Sequence, residues 1–107
     1  MSEIVVSRSG QGGIIDARPG DVIVLRLEEN LTTGYGWEIA SGEGTVVALK
    51  DSTYSEAAGM AMGRGGMRLV RFVALAQGSQ EVRLQLRRPW DPPDKAIEQF
   101  SITIRVH

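Results

Sequence analysis

Asp21-Val22-Ile23-Val24-Leu25-Arg26-Leu27-Glu28 is the stretch that decides the fold. Ile23, Leu25 and Leu27 share one parity, with Val22, Val24, Arg26 and Glu28 on the other. A period of two suits a strand and not a helix. Outward from it the pattern repeats. Residues 81–87 place Val82, Leu84 and Leu86 inward and Glu81, Arg83, Gln85 and Arg87 outward, as an antiparallel strand with one wet face does. Toward the end, Phe100, Ile102, Ile104 and Val106 alternate with Gln99, Ser101, Thr103 and Arg105. Upstream, Arg18-Pro19-Gly20-Asp21 has Pro and Gly at the two central positions of a type II turn. Before that, Gln11-Gly12-Gly13 interrupts two apolar runs, Ile4-Val5-Val6 and Ile14-Ile15-Asp16, which implies a bulge or a switch between sheets.

Downstream, Tyr35, Trp37 and Ile39 share a face, and Trp37 is the candidate core anchor. Ser41-Gly42-Glu43-Gly44 turns the chain into a short strand at 46–49, and residues 51–66 read as a long loop. Ala57, Ala58, Met60 and Met62 hint at a helical turn there, but Gly59, Gly63, Gly65 and Gly66 oppose it. A strand at 67–76, with Val70, Phe72 and Ala74 on one parity, and a turn at Gln77-Gly78-Ser79-Gln80 complete the series. Seven or so short strands separated by turns predict an all-β fold, an immunoglobulin-like antiparallel β-sandwich.

Composition narrows the function. A chain of 107 residues, 42% of them hydrophobic, is expected to form one domain over residues 1–107. Its net charge of -1 gives no general attraction to nucleic acid or to an anionic membrane. It has no cysteine and a single histidine, His107, so a catalytic triad, a thiolate zinc site and a His-based metal site are excluded. Acid pairs such as Glu28 and Glu29, or Asp91 and Asp94, read as solvated charge near turns. No enzyme activity and no cofactor are expected. The first residues lack the basic and apolar regions of a signal peptide, so the default location is the cytoplasm, or a secreted or periplasmic one if a signal peptide has been removed.

Function is therefore sought in the loops. Three stand out: residues 30–36, 55–66 and 88–95. In an immunoglobulin-like sandwich the loops after the second strand, between the fourth and fifth, and before the last emerge at one end. Within them stand Asn30-Leu31-Thr32-Thr33-Gly34-Tyr35, Gly63-Arg64-Gly65-Gly66 and Arg88-Pro89-Trp90. Their order and wording resemble the motifs NPTTG, GxGG and RPW of the chagasin family, inhibitors of papain-like cysteine peptidases. The likeness extends over nearly the whole chain, since the strand pattern also suits that family's eight-stranded fold. Leu31 departs from it by replacing the usual proline, so the loop loses one fixed backbone angle.

The resemblance implies a reversible inhibitor, monomeric when free, whose partner is a papain-like cysteine peptidase of the cathepsin L or papain type. Thr32 and Thr33 would sit beside the partner's catalytic Cys and His. Gly63, Gly65 and Gly66 would let the second loop lie along the substrate groove, with Arg64 reaching a carboxylate. Trp90, held on a proline-stiffened loop, would stack on aromatics, with Arg88 bracing it. Asn30 and Tyr35 would shape the first loop. The competing reading is an immunoglobulin-like module that binds a carbohydrate or cell-surface ligand through Trp90.

Overall fold

The protein is described here by a computed structural model covering residues 2–42, 44–55 and 66–107. These residues form eight strands: β1 (Glu3–Ser7), β2 (Ile14–Ala17), β3 (Val22–Glu29), β4 (Gly36–Ser41), β5 (Val47–Ser55), β6 (Gly66–Ala74), β7 (Gly78–Arg87) and β8 (Glu98–Val106). They make two four-stranded sheets, ordered β1-β3-β6-β5 and β2-β8-β7-β4. The interruption at Gln11-Gly12-Gly13 is a change of sheet. β1 pairs with β3, and β2 with β8, both in parallel. Gly12 takes a φ of +77°, and the crossing is held by Gly12 N–H donating to Ser101 O (2.7 Å) and Gly13 O accepting from Thr103 N–H (3.0 Å). The immunoglobulin-like sandwich is present, but each sheet is mixed, because a parallel partner has been added at one edge of an otherwise antiparallel set.

The type II turn lies where expected, with Gly20 at φ +94° and Asp21 N–H bonded to Arg18 O at 3.0 Å. Inward residues of the two sheets then meet to form the core. Ile23, Leu25, Leu27, Val70 and Phe72 face Val82, Leu84, Phe100, Ile102 and Ile104, all of them almost wholly buried. Trp37, at 8% exposure, joins the same cluster.

Two expectations about boundaries need correction. Residues 51–55 are not loop: they continue β5, pairing with β6 from Asp51↔Arg71 to Ser55↔Met67. A register shift between Leu49 and Asp51 breaks the alternation, and the second half of this edge strand is polar with no residue buried, so a hydrophobic period could not reveal it. Gly78, Ser79 and Gln80, expected in a turn, belong to β7. Gln80 accepts from Val47 N–H (3.3 Å) and donates to Gly42 O, so a polar side chain closes that end of the sandwich.

Register determines where the loops emerge. Glu29 pairs with Gly66, Ser55 with Met67, Gly36 with Arg87, and Leu86 with Glu98. The ends of β3, β5 and β7 and the beginnings of β4, β6 and β8 therefore share one pole. All three candidate loops are rooted there.

Candidate functional site

The first loop is built around Asn30. Its Oδ1 accepts from Thr32 N–H (3.0 Å) and from Thr32 Oγ1 (2.6 Å), while its backbone O accepts from Thr33 N–H (3.2 Å) and Thr33 Oγ1 (2.8 Å). These bonds wind Leu31–Thr33 into one 3₁₀ turn. Tyr35 N–H then donates to Thr33 Oγ1 at 3.3 Å, and Gly34, at φ +79°, reverses the chain. Both threonine hydroxyls are thus engaged locally in the free protein. Leu31 fixes no backbone angle, and the turn is ordered by the bonds to Asn30.

The third loop packs against the first. A Cβ added to Gly34 would lie 2.6 Å from Trp90 Cη2 and 3.2 Å from Cζ2, so the indole rests directly on the glycine backbone. Trp90 is nevertheless 69% exposed. One edge of the ring is seated and the rest faces solvent. Arg88 fills the space behind it: its guanidinium lies 4.5 Å from the Tyr35 ring centroid and 5.9 Å from that of Trp90, and Nη2 donates to Tyr35 OH at 2.8 Å. Arg88 Nε sits 3.3 Å from Asp91 Oδ2, an ion pair whose N–H is not aimed at the carboxylate.

Behind this stack, Arg87 anchors the loop to β4. Nε and Nη2 reach the two Glu38 oxygens at 2.6 and 2.9 Å, and Nη1 donates to the backbone oxygens of Arg88 and Asp91. The Arg87 hydrogen bond is the main reason that the Glu38 carboxyl is held below its ordinary range, with burial opposing it, and the same bond raises Arg87. Arg87, Glu38, Pro89, Tyr35 and Gly34 line a groove of about 260 Å³, together with Glu29 and Arg68.

Glu29 is the site residue that sequence reasoning missed. Grouped with Glu28 as solvated charge, it instead has a fully buried side chain. It accepts from Trp37 N–H (2.7 Å) and is gripped by Arg68 through Nη2 (2.7 Å) and Nε (3.2 Å). The signal was in the parity: position 29 continues 23, 25 and 27 inward. Of the second motif, Gly66 is described, buried as the first residue of β6 opposite Glu29. Gly63, Arg64 and Gly65 lie outside the described residues.

With Gly34 under Trp90 and Gly66 beside Glu29, the roots of all three motifs meet at one pole, and the comparison with known sequences is decisive. Residues 16–104 match the family described as Chagasin family peptidase inhibitor I42. The chain belongs to that family. Chagasin of Trypanosoma cruzi is 23% identical over 106 residues, covering 95% of this chain and 96% of that protein. Two solved structures share the chagasin-type fold. The cysteine protease inhibitor EhICP2 from Entamoeba histolytica superposes with a TM-score of 0.84 at 19% identity, covering 100% of this chain and 97% of its own. PbICP-C, solved in complex with falcipain-2, gives 0.60 at 16% identity, covering 98% and 89%. Members of the chagasin family are peptidase inhibitors, not enzymes, which sets aside the carbohydrate-binding alternative.

Proposed function

We propose that this protein is a reversible inhibitor of papain-like cysteine peptidases that closes the catalytic cleft with residues 30–36, 55–66 and 88–95. The observation that carries the reading is the seating of Trp90 on Gly34, which joins the first and third motifs into one surface. The solved complex of PbICP-C with falcipain-2 gives the class of partner.

Each loop contributes something different. The first enters the cleft as a 3₁₀ turn, and a peptidase cleaves an extended chain. Pinned by Asn30 and reversed at Gly34, the turn offers no carbonyl in line for attack, so it blocks the cleft and is not consumed. Each threonine hydroxyl donates its proton within the loop and keeps at least one lone pair for an N–H of the partner's catalytic histidine, Thr33 having one taken by Tyr35 N–H. The second loop, through Gly63, Arg64, Gly65 and Gly66, pairs along the substrate groove as an added strand. The third supplies Trp90, a rigid exposed aromatic of the kind that dominates binding energy. Arg88 holds it from behind.

Titrating active papain, or a cathepsin L-type peptidase, with the protein tests this reading. It predicts one-to-one loss of activity, recovery on dilution, and an intact inhibitor chain after long incubation. Full peptidase activity across a small panel at micromolar protein contradicts it.

A further inference from the structure

The buried pair beneath the loops does more than stabilise the fold. We infer that Glu29 and Arg68 are positioning residues that set the first and second loops relative to one another. The inference rests on the reading just given and goes beyond the three motifs, none of which contains either residue.

The geometry points to this role because the pair joins all four loop roots. Glu29 is the last residue of β3, immediately before Asn30. Trp37, whose backbone N–H donates to Glu29 Oε2 at 2.7 Å, stands at the start of β4, where the first loop ends. Arg68 lies two positions beyond Gly66, where the second loop ends. Its guanidinium also reaches Ser52 Oγ (3.4 Å) and lies 5.8 Å from the ring of Tyr54, one residue before Ser55, where that loop begins. One carboxylate and one guanidinium thus touch the start and finish of both loops.

Stability alone is a poor reason for such a pair. Removing two charges from water opposes their attraction, and well-packed neutral residues of similar volume often serve the fold as well. What the pair adds is direction. Nε of Arg68 reaches both carboxylate oxygens and Nη2 reaches Oε1, while Trp37 N–H donates to Oε2, so the carboxylate is held from two sides and its rotation is restricted. A neutral packing contact has no such preferred angle.

The test is the double variant Glu29→Gln/Arg68→Met, which keeps an acceptor for Trp37 N–H and removes both charges, with Arg68→Lys as a gentler variant that keeps the charge and loses the fork. Thermal midpoint, papain inhibition constant and amide exchange at Thr33, Tyr35 and Trp37 are measured for each. The proposal expects the double variant to melt within a few degrees of the parent, to inhibit at least tenfold more weakly, and to exchange faster at those amides before any peptidase is added. Arg68→Lys is expected to weaken inhibition severalfold with its midpoint kept. Parent-level inhibition and exchange in a folded variant overturn the proposal, and if the double variant does not fold, the same result in Arg68→Lys overturns it. Because exchange is read in the free protein, a parent that fails to inhibit papain contradicts the proposed function without deciding the role of the pair.

Discussion

Trp90 is surrounded by residues that hold it without covering it. Gly34 gives it a seat that any side chain would occupy, and Arg88 lies against its face. Gly34→Ala therefore acts twice: an L-residue in the left-handed region costs about 1–2 kcal/mol, and the new methyl displaces the indole. We expect inhibition weakened about tenfold or more, with a modestly lowered thermal midpoint. Trp90→Ala removes an exposed ring, so calorimetry should show the parent's midpoint while inhibition falls by roughly thirtyfold, the scale of a hot-spot loss near 2 kcal/mol. The threonines need a different control, because each donates to Asn30 and also lies where the partner would bind. Thr32→Ala/Thr33→Ala removes the hydroxyls and the bonds that order the turn, whereas Asn30→Ala removes the acceptor for Thr32 and leaves both hydroxyls. The double variant should inhibit more weakly than Asn30→Ala. Equal inhibition constants for the two would mean that the hydroxyls act only by shaping the loop.

Among the elements, β4 and β7 carry the third loop through Glu38 and Arg87. The Glu38 carboxyl is depressed in the folded state, chiefly by its hydrogen bond to Arg87. The sign follows: its contribution is complete above the unfolded carboxylate range, near 4.3 for Glu, and disappears as pH falls through the lower folded value. Asp21, depressed by the backbone N–H of Arg18 and then of Ser2, and Asp16, depressed chiefly by His107, act in the same direction. Thermal midpoints should be level from pH 7 down to about pH 5 and fall below about pH 4. A midpoint that rises on acidification would show these carboxyls to be unpaired in solution. At this scale the sequence was legible wherever one face is apolar, as in β3, β7 and β8. It was illegible in β5, where a register shift and a polar edge erase the period, and at Glu29, whose charge suggested solvent while its parity pointed inward. Arg68, the partner that makes that burial tolerable, lies 39 positions away. No local pattern connects them.

For the molecule as a whole, the sandwich roots at one pole three loops far apart in the chain. Family, fold class and motif order could be read from residues alone. The mixed character of the sheets could not, because β1 and β2 are short apolar runs whose pairing direction depends on which edge each one finds. Nor could the contacts among the loops, which depend on the register pairing Gly36 with Arg87 and Glu29 with Gly66. The opposite pole, with Asp16, Arg18, Asp21 and His107 around a concavity of about 580 Å³, has no part in the proposed inhibition. Amide exchange on the protein, free and bound to papain, compares the two poles in one measurement. Protection is expected at residues 30–36, 55–66 and 88–95 together, with exchange at residues 16–21 and 104–107 unchanged. Protection at only one of the three loops, or at the opposite pole, would contradict it.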